Sequence, residues 1–229
     1  MPSSTRSRLA PLRSIGAELA ALILAACCAG CDAPGELLCD RCRGQLSPAP
    51  SDFTTPGGLR VRAALSYDAV AARCIRRLKG EGETLLARPL GDALAAVLTE
   101  ALAASTIAVP VPTSRAAFRR RGYRVPDLLM RRAGVAPQRL LLSARPTADQ
   151  RGLGARQRAD NVRGSMRVRA RGDGLKVALV DDVVTTGATF DEAARVLESA
   201  GFRVVAAVAL AATPLHRRII GNPPATRRK

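Results

Sequence analysis

The 229-residue chain has no tryptophan, two tyrosines, four phenylalanines and one histidine. So few rings leave little on which successive bases could stack, and composition gives no support for sequence-specific recognition of single strands. The lone His216 follows Pro214 beside Arg217 and Arg218 and reads as a surface residue. No Ser/His/Asp nucleophile set can be assembled around it. A Gly-Lys-Ser/Thr phosphate loop is missing, which argues against an ATP-driven motor. No apolar run reaches the roughly 20 residues that cross a bilayer as a helix. Acids are the minority charge, 19 against 36 Lys and Arg, for a net +17.

What remains is a globular composition, 47% apolar and 24% charged, long enough for one domain with a core and a smaller attachment. The positive charge is uneven. From Arg115 to Arg171 there are 16 Arg, no Lys and three acids (Asp127, Asp149, Asp160), +13 in 57 residues. Such a stretch attracts polyanions, either a multiply phosphorylated small molecule or a nucleic-acid backbone. An ordinary solvated surface would carry the same charges.

Five of the six cysteines fall between Cys27 and Cys42. Cys28-x-x-Cys31 and Cys39-x-x-Cys42 form two knuckles whose four thiolates match a closed tetrahedral zinc site. Gly30 and Gly44 permit tight turns around the sulfurs. A segment this short, with few large apolar side chains, cannot fold on a core of its own, and Zn²⁺ supplies the missing stability. Cys27 is the odd member: it either replaces Cys28 as first ligand or is simply buried. Cys74 falls on the apolar face of a predicted helix and reads as a buried small side chain.

Residues 1–14 are expected to be disordered. The run Leu19–Ala26 reads as a short helix at about 15–26 leading into the cysteine module, together residues 15–46. Leu24-Ala-Ala-Cys27 has the alternative look of a lipoprotein processing site; the expected location is cytoplasmic. Residues 47–58 read as a Pro/Ser linker and turn, 59–214 as an α/β domain, and 215–229 as a basic tail. Within the domain, strands are expected over about 59–67, 106–112, 140–142, 176–180 and 203–211. Helices are expected from Asp68 to Lys79, 85–104, 125–133 and 188–200, the last closed by Gly201. The continuous apolar strand 176–180 implies a mainly parallel sheet.

The strand–loop–helix around 176–201 carries the chemistry. Its strand delivers Asp181 and Asp182 to a carboxyl edge, where open α/β sheets bind ligands. Adjacent carboxylates there call for hydroxyls, a metal or cations. Val183 and Val184 lead into Thr185, Thr186, Gly187, Ala188 and Thr189, whose N–H groups and hydroxyls can surround a phosphate at a helix N-terminus. A ribose 5-phosphate fits: acids on the 2′- and 3′-hydroxyls, loop on the phosphate.

This string resembles the diphosphate-sugar signature of type I phosphoribosyltransferases, and the wider chain resembles the ComF family of competence-associated, phosphoribosyltransferase-like proteins. The closer resemblance rests on the cysteine module, Arg76-Arg77-Leu78-Lys79-Gly80, Val109-Pro-Val-Pro112 with Arg121-Gly122-Tyr123, and Arg145…Gln150…Arg156…Asn161-Val162, in order over about residues 20–212. It implies a type I phosphoribosyltransferase-like sheet with an N-terminal zinc module. The ligand would be phosphoribosyl diphosphate with Mg²⁺, transferred to an unidentified acceptor. The other reading is a non-catalytic sensor or scaffold in DNA uptake or repair, with single-stranded DNA or the uptake machinery as partners. It further implies that Pro110, Val111 and Pro112 begin a pyrophosphate loop, that Arg115 and Arg121 neutralise it, and that residues 144–161 close over the site with Arg145, Gln150, Arg156 and Asn161. One departure stands out. The family commonly continues Arg-Gly-aromatic with Asn-Gln, whereas Arg124 and Val125 follow Tyr123 here, which bears on the acceptor pocket and on catalysis.

Overall fold

A computed structural model describes residues 27–102, 105–144 and 162–213. The expected helix at 15–26, the segment 145–161 with Arg145, Gln150, Arg156 and Asn161, and the tail with His216 lie outside the described residues.

In chain order the elements are α1 (Asp40–Gly44), β1 (Ser51–Thr54), β2 (Arg60–Ser66), α2 (Ala69–Gly80), a 3-10 turn (Thr84–Leu86), α3 (Ala87–Ala101) and β3 (Thr106–Pro110). There follow α4 (Arg115–Arg121), α5 (Val125–Arg132), β4 (Leu141–Ser143), β5 (Met166–Val168), β6 (Lys176–Val184), α6 (Ala188–Ser199) and β7 (Arg203–Ala212). The main sheet has the order β1-β2-β7-β6-β3. Neighbours β2, β7, β6 and β3 run parallel, and β1 closes one edge antiparallel. A mainly parallel α/β domain is therefore what the chain builds. Strands β4 and β5 form a separate antiparallel pair.

Alternation along the strands sorts the core into two faces. Val180, Val208 and Leu210 pack with α2, α3 and α5, and with Cys28, Leu38 and Cys42 of the cysteine module. Val177, Leu179, Ala207 and Ala209 pack on the other side with Phe190, Ala193 and Leu197 of α6. Helix α2 starts where its cap requires: the Asp68 carboxylate accepts the Ala71 N–H at 3.2 Å, satisfying one of the orphan donors of the first turn. Cys74 is fully buried in that core, and burial first of all pushes its thiol up to about 11.

Three elements differ from expectation. Residues 47–58 are not simply a linker, because Ser51–Thr54 pairs with β2; a four-residue edge strand in a Pro/Ser context leaves no periodic signature. Strand β6 continues four residues past Val180, because its pairing with β7 persists to Val184↔Ala212. Both acids thus sit inside a strand end. Helix α4 was not expected; none of its residues is buried, so no apolar stripe marks it in the sequence. Among the described residues, no helix is long and apolar enough to cross a membrane.

Candidate functional site

At the carboxyl ends of β3 and β6 lies a cavity of about 280 Å³, lined by Asp181, Asp182, Thr189, Lys79, Val111, Pro112, Thr113, Ser114, Ala117, Arg121 and Pro126, with Ser143, Val162, Ser165 and Met166 on its remaining side. Parallel pairing brings the walls together: β3 registers with β6 through Pro110↔Val180, and the Val111 N–H donates to the Val180 carbonyl at 2.8 Å. The proline-rich turn after β3 is thereby held beside the acids.

The acids are not left to repel one another. Asp182, 12% exposed at its side chain, accepts from Lys79 Nζ at 2.6 Å. Burial opposes the lysine's charge, but the Asp182 and Asp181 carboxylates outweigh it and raise its pKa above the ordinary value. Asp181 accepts the Asp182 N–H at 2.8 Å. Burial, then the neighbouring Asp182 charge, pushes the Asp181 carboxyl up to about 8. Asp181 therefore favours its protonated, neutral form beside the Lys79–Asp182 ion pair.

The turn from β6 to α6 is built on Gly187, the N-cap of α6, at φ +82°. A Cβ there would stand 2.6 Å from the Thr55 Cγ2. Thr55 in turn donates its hydroxyl to the Asp191 carboxylate, which also accepts the Gly57 N–H at 3.0 Å. The turn after β1 thus braces the loop from below. The Thr186 hydroxyl accepts the Ala188 N–H at 3.4 Å.

Of the expected site residues, Asp181, Asp182, Thr189, Val111, Pro112 and Arg121 line the cavity. Pro110 is buried at the end of β3, and Arg115 is exposed on α4 outside the lining. Val183 and Val184 pack against the two core faces. Thr185, Thr186, Gly187 and Ala188 form the turn without lining the cavity. Sequence reasoning missed Lys79 as a member of the site, together with Thr113, Ser114, Ser143, Ser165 and Met166. Ser114 carried one signal: its hydroxyl caps α4, accepting from Ala117 N–H at 3.2 Å.

The far end of the cavity belongs to the segment flanking residues 145–161. The Ala144 N–H donates to the Ser165 carbonyl at 2.7 Å. The Gly164 N–H donates to Glu192 at 2.7 Å, and Arg195 holds that same buried carboxylate from Nε at 2.8 Å. The two flanks are thus joined to each other, and the second is tied to α6 through Glu192.

The cysteine module forms a second centre. The Sγ atoms of Cys28, Cys31, Cys39 and Cys42 all lie within 4.8 Å of one another, with Cys28–Cys39 at 3.6 Å and Cys31–Cys39 at 3.8 Å. Zn–S bonds of about 2.3 Å give a tetrahedron with sulfur–sulfur edges of about 3.8 Å. The four thiols are close enough to hold a metal ion, and the donor set fits zinc. Cys28, not the exposed Cys27, belongs to the cluster. Burial opposes Cys28 ionisation, but the N–H groups of Cys39, Gly30 and Cys31 prevail and bring its thiol down to about 6. Burial and then the surrounding thiols push Cys42 up to about 12; a bound cation reverses that preference.

No family model matches the chain. It is 31% identical over 189 residues to DNA utilization protein YhgH of Salmonella typhi, covering 74% of this chain and 77% of that one. With competence protein F of Haemophilus influenzae it shares 32% identity over 101 residues, 41% of this chain and 44% of the other. Among solved structures, adenine phosphoribosyltransferase from Saccharomyces cerevisiae is 15% identical, covering 78% of this chain and 92% of its own, with a TM-score of 0.42. Orotate phosphoribosyltransferase from Aeropyrum pernix is 21% identical at a TM-score of 0.33, covering 75% and 78%. Structural likeness at these scores carries no residue roles across.

Proposed function

The chain belongs to the ComF family, and on that premise we propose that its cavity binds phosphoribosyl diphosphate and that the protein is a phosphoribosyltransferase-like component of DNA uptake and utilisation. One observation carries the reading: two adjacent acids, a threonine at a helix N-terminus and two cations, Lys79 and Arg121, share one cavity. Asp181 and Asp182 take the 2′- and 3′-hydroxyls of the ribose. The turn Thr185–Thr189 takes the 5′-phosphate on the N–H groups that open α6. Val111, Pro112 and Arg121 face the diphosphate, and Arg115, Arg145, Gln150, Arg156 and Asn161 are its further partners. Mg²⁺ bound with the donor would neutralise charge on the diphosphate beside Asp181 and Asp182. Zn²⁺ is structural. The compartment is the cytoplasm, where such thiols stay reduced.

In the transfer, the bond from the anomeric carbon to the diphosphate oxygen breaks and pyrophosphate leaves, its charge met by Arg121 on the cavity wall. The acceptor nucleophile forms the new bond at that carbon and loses its proton to solvent. Positive charge develops on the ribose ring beside Asp181 and Asp182, so a preorganised field is the main contribution of the chain.

A second reading, a sensor or scaffold that binds the donor without turning it over, is favoured by the acceptor side. Arg124 lies over the Phe118 ring at 4.1 Å and Val125 is buried in the core. Neither offers an amide to the cavity. Pyrophosphate release with Mg²⁺, the diphosphate and a panel of bases separates the two: turnover with one acceptor supports the enzyme, and binding without turnover supports the sensor. The binding claim common to both is tested by Asp182→Asn. A charge-assisted hydrogen bond contributes about 1.5–3 kcal/mol, so calorimetry should show donor affinity falling about tenfold to hundredfold with the fold intact. Unchanged affinity contradicts the assignment.

A further inference from the structure

We propose that the cysteine module is a positioning element for the sugar-phosphate cavity, acting through α2 and Lys79, so that metal binding and donor binding are linked. The inference rests on the donor reading above and adds to it a role for the module.

The module does not hang from the domain on a tether. Its backbone lies against α2: a Cβ on Gly30 would stand 2.7 Å from Cys42 Sγ and 3.0 Å from Val70 Cγ1. Cys28, Ala29, Leu38 and Cys42 share one core cluster with Val70, Cys74 and Leu78 of the helix. Asp32, in the turn after the first knuckle, reaches two successive turns of α2. Its oxygens pair with Arg73 Nη1 and Arg77 Nη2, each at 2.6 Å, and Arg73 also donates to the Gly30 carbonyl at 3.4 Å. Asp32 and Arg73 are exposed, so these pairs add little stability. What they supply is orientation, a two-point fork between the sulfur cage and one face of the helix.

The other end of α2 belongs to the cavity. The Leu78 carbonyl accepts from the Tyr123 hydroxyl, and Lys79 meets Asp182 at 2.6 Å. From Arg73 to Lys79 is under two turns of one continuous helix. When the four sulfurs are drawn together by the metal, Gly30 and Asp32 are held against α2, and the helix holds Lys79 over the acids. When the sulfurs separate, α2 loses its packing at Val70 and Cys74, and Lys79 loses its fixed approach. A network of packed side chains of this kind is what carries coupling between two sites, and such coupling is reciprocal: the factor by which metal tightens donor binding is the factor by which donor tightens metal binding.

The experiment uses the full-length, zinc-loaded protein. Zinc affinity is measured by competition with a chromophoric chelator, with and without saturating phosphoribosyl diphosphate in excess Mg²⁺, and donor affinity by calorimetry. Coupling between sites commonly amounts to about fivefold or more; the donor should raise zinc affinity by such a factor. Chelation of zinc by free donor acts in the opposite direction and cannot imitate this. The variant Asp32→Gly removes the fork while suiting the backbone at position 32, whose φ is +61°. It should still bind one metal and the diphosphate, with the coupling factor falling toward one. A wild-type coupling factor of one, with donor bound normally, overturns the linkage and leaves the donor reading standing. Coupling kept in full by Asp32→Gly also overturns it. Failure of zinc-loaded wild-type protein to bind the diphosphate sinks the donor reading first and the linkage with it.

Discussion

The two walls of the cavity are built in opposite ways. One wall is scaffold: Asp181 and Asp182 sit in a central strand paired to β7, Lys79 and the acids satisfy each other, and the Gly187 turn is braced by Thr55. The other wall is α4, seven residues with none buried, capped by Ser114 and followed by Tyr123, whose hydroxyl donates to the Leu78 carbonyl, and by Arg124 over the Phe118 ring. The rigid wall faces the proposed sugar-phosphate, and the lightly anchored wall precedes Arg124 and Val125, where the expected Asn-Gln pair is replaced. Binding geometry that must hold within fractions of an ångström is placed on regular elements. A surface free to vary sits on an element the core does not specify.

Each wall carries one left-handed glycine, which gives the most direct way to break the comparison. Gly187 at φ +82° has Thr55 underneath, whereas Gly122 at φ +80° ends α4 with nothing within 4 Å of where a Cβ would stand. Gly122→Ala should lose only the left-handed penalty, about 1–2 kcal/mol, and leave donor affinity unchanged. Gly187→Ala adds a clash, another 1–3 kcal/mol or so, and displaces the phosphate turn, so donor affinity should fall about tenfold or more by calorimetry. Equal effects of the two substitutions on donor binding would show the walls to be equivalent.

A smaller effect separates the scaffold wall from itself at two pH values. The Asp181 carboxyl is raised from 3.8 to about 8, so the folded chain holds that proton more tightly than the unfolded one. Its favourable contribution is complete below about pH 4 and is lost as pH rises through 8. Asp181→Asn removes the ionisation penalty. In ligand-free protein the variant should gain melting temperature over wild type as pH increases from 4 to 8, by about 2–4 °C for each kcal/mol recovered in a chain of this size. A difference that is flat with pH would mean Asp181 is ionised throughout.

The same contrast explains what could be read in advance. The scaffold wall was legible because its signals are local: an apolar strand, two acids, a threonine-rich turn and a helix lie within 26 consecutive residues. The cysteine cage was legible for the same reason, and the Asp68 cap marked the start of α2. Lys79 was visible only as part of a family segment, since its partner lies 103 residues away. The brace between Thr55 and Asp191 spans 136 residues, and no local pattern encodes such a pair. Helix α4 was illegible for a different reason: an Arg-rich helix with no buried face has no hydrophobic period, and only Ser114 and Gly122 mark its ends.

The smallest expected effect tests whether α4 is held as lightly as its burial implies. The Arg124 guanidinium over Phe118, 4.1 Å from the ring centre, is a half-buried cation–π contact, and such contacts contribute about 0.5–1 kcal/mol where solvent still reaches them. Arg124→Ala should therefore leave the melting temperature and the donor affinity nearly unchanged. Amide exchange over 115–121 should quicken by about two- to fivefold, the factor that this energy represents when a local opening, and not global unfolding, governs exchange. A loss of donor affinity comparable to that of Asp182→Asn would tie α4 to the rigid wall. Unchanged exchange would mean that the Ser114 cap and the Gly122 turn alone hold the helix in place, and that Arg124 is free to serve an acceptor.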